Sequence, residues 1–72
     1  MTDKQSQAKF FSLDNAQQKQ VRREATVIKQ SGANHFFIET GCYADSPKSE
    51  WLLMAFAMMG LGFVSSTEFY GI

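Results

Sequence analysis

The sequence predicts an α+β fold with elements in the order α-β-α-β, and three observations lead there. Two segments open with helix-start chemistry, at Asp14 and at Ser46-Pro47, and continue with apolar residues that suit helices. Two others, residues 35–44 and 63–70, are rich in aromatic and β-branched side chains and read as strands. Glycines at 32, 60 and 62 punctuate the helix ends.

Residues 1–9 are polar enough to read as a flexible N-terminal tail, leaving 10–72 as a single small domain. The first helix is expected from Asp14 to Ser31. Asp14 and Gln17 stand three apart, as a capping box requires, with Ser12 as a rival cap. At about 100° per residue, Leu13, Val21, Ala25 and Ile28 gather on one side of it and Lys19, Arg22, Arg23 and Lys29 on the other. Gly32 supplies a left-handed closing residue.

In the first strand, alternation puts Phe36, Ile38, Thr40, Cys42 and Ala44 on the face that meets the helices. The other face carries His35, Phe37, Glu39 and Tyr43, a mixture that suits a contact surface. Gly41 marks a bulge, a bend or a broken hairpin. The second helix takes the Ser46 hydroxyl as its cap and runs to about Met59, with Gly60 and Gly62 as two closing positions before the second strand.

A strand, helix and strand joined this closely make a right-handed crossover with both helices on one face of a small sheet, half of a ferredoxin-like layer. Two strands alone are marginal. Either Phe10 and Phe11 lead a third strand, or two chains complete the sheet by dimerisation.

The run from Trp51 to Phe63 is apolar without interruption. At about 1.5 Å per residue it is too short to span roughly 30 Å of hydrocarbon, so burial in protein is expected and a membrane is not. Leu52, Leu53, Phe56 and Met59 fall on one side of the helix, and Trp51, Met54, Met58 and Leu61 on the other. The first set is expected to cover the sheet. The second is expected at a protein interface, together with Phe37 and Tyr43, unless the first helix and the N-terminal phenylalanines cover it.

Formal charge is zero, but residues 1–32 hold six basic side chains against three acidic ones, and residues 33–72 hold one against four. The basic face of the first helix therefore offers Lys19, Arg22, Arg23 and Lys29 as phosphate contacts for a small nucleic-acid-binding regulator. That is the alternative function. A single cysteine, Cys42, and the lack of an apolar leader point to the cytoplasm.

His35 and Cys42 would lie on opposite faces of one strand, which keeps them from acting as a pair. No zinc-ligand spacing, glycine-rich phosphate loop or nucleophile elbow is present, and Glu39 with Glu68 lacks a recognisable pocket. Neither an enzyme nor a cofactor is expected.

The pattern Val27-Ile28-Lys29-Gln30-Ser31-Gly32, then His35-Phe36-Phe37, then Gly60-Leu61-Gly62-Phe63-Val64 resembles the ribonuclease E inhibitor family called regulator of ribonuclease activity B. The resemblance covers roughly residues 25–66 and implies a helix ending in glycine, a strand opening with histidine and aromatics, and a helix ending in Leu-Gly-Phe. This chain lacks the acidic N-terminal segment usual there. The resemblance implies a cytoplasmic, non-catalytic protein-binding regulator. From the residues themselves the expected function is the same in class: a regulator or inhibitor of a larger protein, acting as a homodimer.

Overall fold

The chain folds into five α-helices and no strand: α1 Asp3–Ser12, α2 Asn15–Ser31, α3 Ala33–Thr40, α4 Glu50–Gly60 and α5 Ser66–Tyr70, with a 3-10 turn at Pro47–Ser49 leading into α4. The structure is a computed structural model and describes residues 1–72. The expected α+β class, with its half-ferredoxin-like sheet, is thereby corrected to an all-α fold. A small α/β protein it is not.

Neither expected strand forms, and most of each is helical. Residues 33–40 form α3, and Gly41, expected at a bulge, closes it in the left-handed conformation at φ 73°, its N–H donating to the Phe37 carbonyl at 2.7 Å. The strand opening at His35 that the family resemblance implied is thus a helix. β-propensity favours aromatic and branched residues only where a pleated surface receives them. Here two strands would have left edges unpaired, whereas a helix satisfies its backbone locally at a cost of only some tenths of a kcal/mol per residue relative to alanine. In the other segment Ser65 and Glu68 form a capping box, with the Ser65 hydroxyl accepting from Glu68 N at 3.0 Å and Glu68 Oε1 accepting from Ser65 N at 3.3 Å.

Residues 1–9, expected as a loose tail, contribute most of α1. Thr2 and Gln5 build its capping box, Asp3 lies in the first turn and Lys9 in the last, where the helix dipole favours each charge. Phe10 and Phe11, offered as one way to supply a third strand, lie in the last turn of this helix instead. Phe10 is buried while Phe11 stays exposed.

The first expected helix forms close to its expected limits. Gln17 N donates to Asp14 at 2.8 Å, Ser12 is not the cap, and Val21, Ala25 and Ile28 are the buried residues of α2. Gly32 is not left-handed: at φ −111° it ends α2 and opens α3 in one step. Glycine fits there because a Cβ would stand 3.3 Å from the Ile28 Cα. The second expected helix starts later than read, since Ser46 makes no side-chain cap bond and the first turn is 3-10. Its end is a Schellman closure. Phe63 N donates to Met58 O at 2.8 Å and Gly62 N to Met59 O at 3.1 Å, with Gly62 left-handed at φ 83°.

Helix α4 is the centre of the molecule, packed against α1, α2 and α5. Leu53, Ala55, Ala57 and Met58 are buried, and Trp51, Leu52, Met54, Phe56, Met59 and Leu61 are half-buried against the same core. A helix apolar on every side is thus enclosed on several sides. The cover over its Trp51 end is α1. Ser6 Oγ donates to the Trp51 carbonyl at 2.7 Å, and the Phe10 and Phe11 rings lie 5.9 Å from the indole. The N-terminal ammonium donates to Phe69 O at 2.8 Å, tying α5 to the start of α1.

Candidate functional site

The residues expected at an interface separate into two groups. Met58 is fully buried and belongs to the core rather than to a surface. Trp51, Met54 and Leu61 are half-buried against that core. Phe37 and Tyr43, by contrast, are 41% and 68% exposed. Their rings stack at 4.9 Å between centroids with 32° between planes.

Helix geometry, not strand alternation, puts them there. Phe36 is the residue of α3 that turns inward, meeting Phe56 edge-on at 5.4 Å, and its burial fixes the rotation of the whole helix. Residues one and two positions further then point outward: Phe37, and Ile38 at 79% exposure. Expectation had placed Ile38 on the inner face, and the helical period reverses it. Thr40 shapes the exit from α3. Its hydroxyl donates to Phe36 O at 2.7 Å and accepts from Cys42 N at 3.2 Å. A turn follows in which Ser46 N donates to Tyr43 O at 3.2 Å. The result is an exposed apolar surface of Phe37, Ile38 and Tyr43.

On the other flank of α3, the Tyr70 hydroxyl donates to Glu39 Oε2 at 2.8 Å, and His35 Nε2 stands 4.0 Å from Glu39 Oε1. That hydrogen bond, followed by burial and the carboxylate's charge, raises the Tyr70 phenol above its ordinary value. Glu68, considered beside Glu39, is occupied at the Ser65 cap. Cys42 is a free, half-buried thiol. No group of three or more His, Cys, Asp or Glu side chains converges as a metal site would require, and every buried polar side-chain atom has a hydrogen-bond partner.

The expected phosphate contacts Lys19, Arg22, Arg23 and Lys29 are all exposed on α2. None lies within 4.0 Å of a carboxylate. Arg22 is held over the buried Phe10 ring, 5.2 Å from its centroid. It also lines, with Ala25 and Lys29, one wall of a groove of about 250 Å³ whose other wall is Glu50, Leu53 and Met54 of α4. Two expected phosphate contacts and one expected interface residue therefore meet in one place. A larger concavity of about 440 Å³ lies between α1 and α5, lined by Met1, Gln5, Ala8, Lys9 and Glu68, and none of the expected residues reaches it.

No helix is long and apolar enough to cross a membrane. No family model, curated protein or solved structure matches this chain.

Proposed function

We propose that this chain is a non-enzymatic protein-binding regulator or inhibitor of a larger protein, acting in the cytoplasm as a homodimer and docking through the outer face of α3 and the turn after it. One observation carries the reading: Phe37 and Tyr43 form an exposed aromatic pair, with Ile38 exposed on the same short helix, on a molecule that has already buried its own apolar helix. Large apolar side chains held together in water are characteristic of association sites, and aromatic anchors dominate the energetics of such sites. The rigid base supplied by Phe36 lowers the entropy lost on docking.

The test is a pair of measurements on the wild type and Ile38→Glu. Light scattering at micromolar concentration is expected to give the mass of two chains for the wild type and for Ile38→Glu alike. Affinity capture from the source cell is expected to lose its partner in the variant while thermal unfolding is unchanged. A wild-type mass of one chain removes the homodimer, and capture indifferent to Ile38→Glu removes the surface.

A second reading, nucleic-acid binding, rests on the four unpaired cations of α2. Phosphate contacts release counterions, so such binding must weaken steeply with salt and with Arg22→Ala combined with Arg23→Ala. Binding that ignores both leaves only the protein-binding reading.

A further inference from the structure

Residues 65–72 differ from the rest of the molecule in how they are held. Only Phe69 among them is buried, and Val64 just before them is buried too, so the segment leaves the core at one point and returns to it through one side chain. Its backbone hydrogen bonds close on themselves: Phe69 N donates to Ser65 O at 2.9 Å, Gly71 N to Thr67 O at 2.9 Å and Ile72 N to Thr67 O at 3.2 Å. The Ser65–Glu68 capping box lies within the segment as well. Lifting α5 away therefore leaves the helical hydrogen bonds of α1 to α4 intact.

Three ties hold the segment down. The Phe69 ring meets Phe56 of α4 edge-on at 5.6 Å, the Tyr70 hydroxyl donates to Glu39 of α3, and the Phe69 carbonyl accepts from the N-terminal ammonium. Neither hydrogen bond is fully shielded from water, and such bonds add little net stability, which leaves one aromatic side chain as the main anchor. A helix of five residues is far below the roughly 12–15 that sustain a helix in water, so α5 unwinds once Phe69 leaves its seat. We propose that α5 is a strap that opens as one unit at Ser65 while α1 to α4 stay folded, with Phe69 as the built-in plug of an aromatic seat on Phe56.

Helix α1 shows the contrast. Ser6 and Phe10 are both buried, and Ser6 is bonded to Trp51, so releasing α1 strips one end of α4. Opening α5 removes one ring from the core, and Phe56 keeps Phe36 at 5.4 Å and His35 at 5.7 Å. Segments with few buried contacts and self-contained hydrogen bonds are the ones that open well below the global unfolding free energy. In the open form the Phe56 ring is uncovered, and any group that settles on it competes with Phe69, which makes the closed contact autoinhibitory. Opening also releases Glu39 of α3 from Tyr70. The strap does not depend on the α3 surface having a partner.

The experiment is amide hydrogen exchange on the full chain in low urea. The amides of Phe69, Gly71 and Ile72 are expected to share one opening constant, more than about tenfold larger than those of Ala25 in α2 and Ala57 in α4, and less dependent on urea because little surface is exposed. Tyr70→Phe, which leaves the core intact, is expected to raise all three α5 constants together by about threefold. Phe69→Ala is expected to raise them about a hundredfold and to increase binding of a hydrophobic dye, while Trp51 fluorescence still reports a cooperative urea transition. The proposal is overturned by α5 amides that share the constant and urea slope of α4, by protection that fades stepwise from Ile72 to Phe69, by a Tyr70→Phe effect confined to Gly71 and Ile72, or by loss of the cooperative transition in Phe69→Ala.

Discussion

Ser6 is a polar residue at 1% exposure, and its hydroxyl donates at 2.7 Å to the carbonyl of Trp51, forty-five residues away. Replacing it with alanine should cost about 0.5–1.5 kcal/mol, read as a lower urea midpoint at unchanged slope. Met58 should matter more. As a fully enclosed side chain, Met58→Ala is expected to cost about 2–5 kcal/mol, whereas Ile38→Glu, on open surface, should stay within about 0.5 kcal/mol. Comparable losses for the two would contradict the division between core and docking surface drawn above.

Tyr70 supplies a pH test. Its folded-state value is raised above the ordinary 10.0, chiefly by the hydrogen bond to Glu39. The unfolded phenol loses its proton first as pH rises, so the contribution to stability is fully present below 10.0 and is lost as pH climbs through the raised value. In a Tyr43→Phe background, tyrosinate absorbance should show Tyr70 titrating lower once Glu39→Gln is introduced. An unmoved midpoint would mean that the α3–α5 tie does not exist in solution.

Among the elements, α1 has the largest effect for the least sequence signal. It covers the Trp51 end of α4 with Ser6, Phe10 and Phe11. Deleting residues 1–12 should therefore leave collapsed chains that bind a hydrophobic dye and unfold without a sharp transition. A cooperative transition with a near-native midpoint would show α1 to be dispensable. Its caps were nonetheless readable, since Thr2 and Gln5 stand three apart just as Asp14 and Gln17 do. Polarity obscured them, because a helix with one narrow apolar edge looks like a solvated tail until its partner is known. The same spacing at Ser65 and Glu68 marked α5, and Phe, Val and Tyr around it suggested a strand instead. For α3, Gly41 was a stop signal compatible with either element, and only burial of Phe36 distinguishes them.

The whole molecule is built of helices whose backbone hydrogen bonds are local, with no sheet pairing and no disulfide. Such topologies fold fast. Refolding within about milliseconds, as a single exponential in stopped-flow or temperature-jump fluorescence of Trp51, is the expectation, and a phase of seconds would argue against this arrangement. Helix α2, its Asp14 cap, the central apolar helix and its glycine closure were legible because each depends on local chemistry: a side chain near its own backbone, a glycine free to adopt positive φ, an apolar run with no polar stripe. Phe37 and Tyr43, read as outward-facing, are exposed, whereas Ile38, read as inward-facing, is exposed too.

What the sequence determined by itself was where helices start and stop when capping groups stand nearby, and that residues 51–61 must be buried. Tertiary structure decided the rest. Whether residues 35–40 pleat or coil depends on what receives Phe36. Whether Trp51 faces a second chain or its own N-terminal helix depends on a contact spanning forty-five residues, from Ser6 to Trp51. Capping acts over three or four residues and can be read along the chain, whereas burial is a property of the partner, and the partner is known only once the chain has folded.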